Sequence, residues 1–125
     1  MQKILIVDDN VDSLEVLKMV LSDSGYRVDI VSDWQKTYHQ IILSKPDLIL
    51  MDISLDGIDG RILSRVIKSN DLTKDIRIIL VSGHEGMKEP YETYLADDFI
   101  EKPLDINNLL MKIKFQLSTQ TNVET

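Results

Sequence analysis

Three apolar runs, Ile4-Leu5-Ile6-Val7, Leu48-Ile49-Leu50-Met51 and Ile78-Ile79-Leu80-Val81, are each four residues long and each give way to a polar residue. Continuous apolar runs of this length suit strands buried on both faces, so they predict the central strands of a parallel sheet. Between them the spacing changes to that of helices. Leu14, Leu17, Val20 and Leu21 form one face, Trp34, Tyr38, Ile41 and Ile42 a second, Ile62, Leu63, Val66 and Ile67 a third, and Ile106, Leu109, Leu110, Ile113 and Leu117 a fourth. Val28-Asp29-Ile30 alternates, and Phe99-Ile100-Glu101 passes from apolar to charged, as edge strands do. Between Gly86 and Leu95 the breakers Gly86 and Pro90 leave room only for a short helix through Tyr94 and Leu95.

Start signals fit this register: Ser32 with Gln35 as a capping box, Asp59 before Gly60, and Asp105 ahead of the last helix. Residues 1–118 then make one domain, and 119–125 a polar tail or linker stub. Strand and helix alternate with right-handed crossovers, which gives an α/β fold: a doubly wound five-stranded parallel sheet with helices on both faces. In such folds ligands bind at the carboxyl ends of the strands.

Composition supports one globular domain: 125 residues, 43% hydrophobic and 28% charged. No stretch approaches the roughly 18 apolar residues of a membrane span. There is no cysteine, and the apolar run before Asp8 is too short for a signal peptide, so cytoplasmic residence is the expectation. A net charge of −7 disfavours direct nucleic-acid binding by this chain and favours cations and basic partner surfaces.

The expected strand ends carry Asp8 and Asp9, Asp52, Ser82, and Lys102 before Pro103. Converging carboxylates raise one another's free energy unless a cation or proton intervenes, and a hard divalent ion with oxygen ligands answers that need. A single acid at a strand end is readily explained as a solvated loop residue or a cap; the convergence is what points to chemistry.

The segments ILIVDDN, LILMDISLDGIDG, IILVSG and ADDFIEKPLD occur in this order, with 43 residues from Asp9 to Asp52, 30 to Ser82 and 20 more to Lys102. Together they resemble the receiver domain of two-component response regulators. The resemblance implies the flavodoxin-like strand order 2-1-3-4-5 and a phosphoryl acceptor at Asp52. It implies Mg²⁺ held by Asp9, by Asp8 through water, by an Asp52 oxygen and by the Ser54 backbone carbonyl. Lys102 would pair with a phosphoryl oxygen, Ser82 would donate to another, and the Phe99 rotamer would follow Ser82. A cis Lys102-Pro103 bond also belongs to the resemblance. The chain departs from the family in places. The family loop after the acceptor usually reads Met-Pro, where this chain has Leu55-Asp56-Gly57, a turn expected to be flexible and more acidic. Gly83 stands for a common Ala, Tyr94-Leu95 for a common Ala-Gly pair, and the stretch from Ser82 to Lys102 is about two residues short of many members.

The leading function is a phosphorylation-switched signalling module that accepts its phosphoryl group from a histidine kinase or phosphotransfer protein. It acts on itself and is not an enzyme toward other substrates. Its output partner is open, a second copy of the chain included. A phosphorylation-independent interaction domain on the same fold is the alternative. A cofactor carrier or aspartyl phosphatase ranks last, because no glycine-rich phosphate loop occurs and Ser54 stands where such a phosphatase wants an acid. His39 is expected on the solvent side of its helix, His84 in a loop without a role, and Trp34 and Tyr38 in the core. Asp97-Asp98 is expected to cap and solubilise the last strand, and Asp29 and Glu101 to guard sheet edges.

Overall fold

A computed structural model describes residues 1–83 and 89–121. In chain order the elements are β1 (Lys3–Val7), α1 (Val11–Asp23), β2 (Arg27–Val31), a 3₁₀ turn (Trp34–Lys36), α2 (Thr37–Ser44), β3 (Leu48–Asp52), the short strands β4 (Ser54–Leu55) and β5 (Ile58–Asp59), and α3 (Gly60–Lys68). Then come β6 (Arg77–Ser82), a second 3₁₀ turn (Tyr91–Tyr94), β7 (Asp98–Glu101) and α4 (Ile106–Thr121). The main sheet is ordered β2-β1-β3-β6-β7 and every pairing in it is parallel. Counting main-sheet strands alone, this is the expected order 2-1-3-4-5. The antiparallel β4-β5 ribbon was not expected.

Alternation along the central strands divides the core in two. Ile4, Ile6, Leu48, Leu50, Ile79 and Val81 face one side with Leu14, Leu17 and Leu21 of α1 and Leu109, Ile113 and Leu117 of α4. Leu5, Val7, Ile49, Met51, Ile78 and Leu80 face the other, with Ile41 of α2 and Leu63 and Ile67 of α3. Each fully buried Leu or Ile contributes about 1.5–3 kcal/mol relative to exposure, so both layers are held mainly by the apolar runs of β1, β3 and β6. No helix among the described residues is long and apolar enough to cross a membrane.

Several local expectations change. The helix start near residue 32 is capped by Asp33, whose carboxylate accepts from Gln35 N at 3.0 Å, and Ser32 is not the cap. The tighter 3₁₀ winding of Trp34–Lys36 rotates the register of α2. Thr37 and Ile41 therefore turn inward, whereas Tyr38 and Ile42 are 41% and 48% exposed. Trp34 remains half-buried against the core. On α3 the inward stripe is Gly60, Leu63, Ser64 and Ile67, and Ile62 and Val66 are exposed.

Asp97 does more than solubilise. Its carboxylate pairs with Lys68 at 2.9 Å and Arg77 at 3.4 Å and accepts from Ile78 N at 2.8 Å, tying α3 to β6; Asp98 pairs with Lys112 of α4 at 3.1 Å. His39 is exposed as expected. His84 and Gly86 lie outside the described residues. The short helix expected near Tyr94 is a single 3₁₀ turn closed by Leu95 at φ +62°. The last helix continues to Thr121, three residues beyond the expected domain boundary.

Candidate functional site

β1 and β3 are neighbours in the sheet, with Val7 opposite Met51. Asp8 and Asp52 therefore emerge side by side at the carboxyl edge. Both are nearly buried, at 6% and 5% exposure. Asp8 is oriented by Asn10, whose backbone N–H donates to Oδ1 at 2.9 Å, and Asn10 in turn caps α1 by accepting from Ser13 N at 3.0 Å. Asp52 is oriented by Ser54, whose N–H donates to its Oδ1 at 2.9 Å.

Lys102 follows β7, and its peptide bond to Pro103 is cis. Its backbone N–H donates to Ser82 O at 2.8 Å, which continues the β6-β7 ladder, and its ammonium lies 3.0 Å from Asp52 Oδ2 and 3.9 Å from Asp8 Oδ2. One ammonium thus serves two buried carboxylates. Burial, followed by repulsion from Asp52, raises the Asp8 pKa above its ordinary value, although the Asn10 N–H and Lys102 oppose this. Burial alone would lower the Lys102 pKa, but its hydrogen bond to Asp52 and the charges of Asp52 and Asp8 outweigh it, and the net displacement is upward. A cavity of about 430 Å³ opens beside the cluster, lined by Asp8, Asp52 and Lys102 together with the apolar side chains of Ile6, Leu50 and Val81.

Asp9 lies further out. Its carboxylate accepts from the backbone N–H of Asp56 in the β4-β5 turn. Accordingly, no three His, Cys, Asp or Glu side chains among the described residues stand together as a ready metal cage. The donors nevertheless suit a hard cation: they are carboxylate oxygens, Asp8 and Asp52 are buried and among the described residues share the Lys102 ammonium, and Mg²⁺ characteristically takes one or two carboxylates and keeps several waters.

The turn expected to be flexible is pinned. Ser54 pairs with Asp59 and Leu55 with Ile58, and Gly60 N donates to Ile53 O at 2.8 Å. Gly60 itself was missed by sequence reasoning. A Cβ there would stand 2.0 Å from the Asp52 carbonyl oxygen, so only glycine lets the start of α3 press against the end of β3. The signal was present as a glycine directly after the cap Asp59, where a helix gains nothing from glycine. Asp59 accepts from Arg61 N at 2.8 Å and is bridged by the Arg61 guanidinium at 2.6 Å; that side-chain bond holds its carboxyl below the usual range.

Ser82 ends β6 one position past Val81, the register partner of Asp52, and is 1% exposed. Among the described residues its hydroxyl makes a long 3.4 Å bond to Gly83 O. Phe99, opposite Leu80 on β7, stacks at a tilt on Tyr91 with centroids 5.6 Å apart, and the Lys112 ammonium lies 6.0 Å from its ring. The structure therefore gathers Asp8, Asp52 and Lys102 into direct contact, sets Asp9 and Ser54 at the rim, and places Ser82 and Phe99 on the two adjoining strands.

A parallel 2-1-3-4-5 sheet with an acid pair and a lysine at its carboxyl edge defines a class, and sequence and structure comparisons give it a name. Residues 4–114 match the profile of the response regulator receiver domain, and the chain belongs to that family. It is 37% identical over 113 residues to the phosphate regulon transcriptional regulatory protein PhoB of Pseudomonas aeruginosa, covering 89% of this chain and 49% of that protein. It is 36% identical over 120 residues to the response regulator ArlR of Staphylococcus saprophyticus, covering 96% and 54%. The chain thus spans about half the length of these curated relatives. Among solved structures, a CheY-like response regulator receiver domain protein from Methanospirillum hungatei superposes with a TM-score of 0.85 at 30% identity, covering 98% of each chain.

Proposed function

We propose that Asp52 accepts a phosphoryl group from a histidine kinase or phosphotransfer protein and that the phosphorylated site changes the surface around Phe99. The observation that carries this reading is the Lys102 ammonium 3.0 Å from Asp52 Oδ2 in the wall of a cavity. A carboxylate oxygen of Asp52 forms the bond to phosphorus as the bond to the donor nitrogen breaks, and the bonding pair leaves with that nitrogen. The transition state is loose, so positioning and neutralisation of charge dominate. Ser54 N–H and Lys102 hold the Asp52 carboxylate in one orientation, and Lys102 is placed to follow the negative charge onto a phosphoryl oxygen. Asp8, Asp9, Asp52 and the Ser54 carbonyl would hold Mg²⁺, which when bound supplies positive charge to the phosphoryl oxygens.

Ser82 supplies a hydroxyl whose present bond is weak enough to exchange for a charge-assisted one. Its movement would free space that Phe99 can enter, and because Phe99 has no hydroxyl, packing against Tyr91 decides its position. Incubation with acetyl phosphate and Mg²⁺, read by intact mass, tests the reading. A single phosphate adduct on the native chain and none on Asp52→Asn is the expected result. An adduct of equal yield on the variant removes Asp52 from the role.

A further inference from the structure

We propose that Asp56, through its backbone N–H, is a positioning residue for Asp9, and that Trp34 and Gly57 hold the turn that presents it. The proposal rests on the Mg²⁺ role given to Asp9 under the proposed function.

Asp56 and Gly57 are the two residues between the paired strands β4 and β5. Gly57 adopts φ +97°, and a Cβ there would stand 3.0 Å from the Trp34 indole nitrogen, so the indole lies against the turn. Asp9, Asp33, Trp34, Asp56 and Gly57 share the wall of one pocket of about 540 Å³. Within it the Asp9 carboxylate accepts from Asp56 N–H, a contact between positions 47 apart in the chain. In this state Asp9 is turned toward the turn instead of toward the Asp8-Asp52 pair. A cation that recruits Asp9 must compete with that hydrogen bond, and its apparent affinity falls by the fraction of molecules in which Asp9 is released. The competing donor exists because residue 56 is not proline: the family's usual Met-Pro would place there a residue with no N–H.

The turn tolerates the decisive substitution. Proline is favoured at the first central position of a turn whose second central residue is a glycine at positive φ, and Leu55, the preceding residue, is already extended in β4. Asp56→Pro removes both the charge and the N–H, whereas Asp56→Ala removes the charge alone. Their difference isolates the hydrogen bond. Trp34 is the chain's single tryptophan, so its emission reports the turn.

Native chain, Asp56→Ala and Asp56→Pro are titrated with MgCl₂ by calorimetry and by Trp34 emission. Asp56→Pro is expected to bind Mg²⁺ about fivefold more tightly than Asp56→Ala, the factor expected of a modest net hydrogen bond. The emission change seen in the native chain and Asp56→Ala should shrink in Asp56→Pro. Equal affinities for the two variants, with clear binding heat, overturn the proposal and leave the metal site standing. Absence of binding heat in all three overturns the metal reading and the positioning role with it. Should Asp56→Pro lack a cooperative melt, the metal-free Asp56 amide decides: it should shift and exchange faster in Asp9→Ala, and an unmoved amide contradicts the proposal.

Discussion

Gly60→Ala is the sharpest test of how the fold positions Asp52. The added Cβ would stand 2.0 Å from the Asp52 carbonyl oxygen, 2.9 Å from its carbon and 3.0 Å from Ile53 Cα. All three are backbone atoms, so no side-chain rotation relieves the contact. Restoring an ordinary carbon to oxygen separation of about 3.3 Å requires the end of β3 and the start of α3 to part by roughly 1.3 Å. Overpacking costs about 1–3 kcal/mol, and a contact this short with backbone atoms alone belongs at the upper end, about 3 kcal/mol, of which alanine's better helix propensity offsets about 1 kcal/mol. A net loss of about 2 kcal/mol corresponds to a melting temperature lower by roughly 8 °C in a domain of this size. The same displacement moves the carboxylate away from Ser54 N–H and Lys102, and misplacement by about 1 Å can cost up to about 100-fold in rate. Thermal melts and the time course of acetyl phosphate labelling measure both effects, with Gly25→Ala as the control. Gly25 has φ +98° but a Cβ there meets nothing within 4 Å, so its variant should lose stability through backbone strain while labelling changes much less. A Gly60→Ala protein that melts within about 2 °C of the native chain and labels at the native rate refutes the reasoning.

Other consequences concern charge and coupling. Asp8 has a raised pKa, so its contribution to stability is fullest below the ordinary carboxylate value of 3.8 and is lost as pH rises through the raised value. Asp8→Asn should therefore melt higher than the native chain near neutral pH without metal, with the gap closing in acid; parallel pH profiles in thermal melts would sink this. Asp97→Ala removes the carboxylate that Lys68 and Arg77, both mostly buried, share, and should cost about 1–3 kcal/mol by urea unfolding with labelling of Asp52 retained. Ser82→Ala should still accept phosphate, but beryllofluoride should shift the Tyr91 and Phe99 amides less than in the native chain. Equal shifts would show that Ser82 does not transmit the change.

The sheet was legible because four-residue apolar runs leave few alternatives, and the site because strand ends in a doubly wound fold converge. Asp8 and Asp52 are neighbours because β1 pairs with β3, and Lys102 reaches them from beyond β6. The features that sequence did not reveal depend on local winding and on close approach. A three-residue 3₁₀ turn rotated Tyr38 and Ile42 outward, and no residue in that stretch marks the change of pitch. The β4-β5 ribbon is only two residues per strand, too short for alternation to be seen. Gly60 reads as an ordinary glycine until the Asp52 carbonyl stands against it, and Asp97 reads as a solubilising charge until Lys68 and Arg77 arrive from α3 and β6.

The central claim is that Asp52 is the residue that carries the phosphoryl group. Labelling with acetyl phosphate and Mg²⁺, followed by borohydride reduction of the acyl phosphate and peptide mapping, locates the modified residue directly. Reduction confined to Asp52, and lost when Lys102 is changed to Ala or when Mg²⁺ is chelated, is the expected result. Reduction at Asp8, Asp9 or Asp56, or none at any carboxylate, would contradict it.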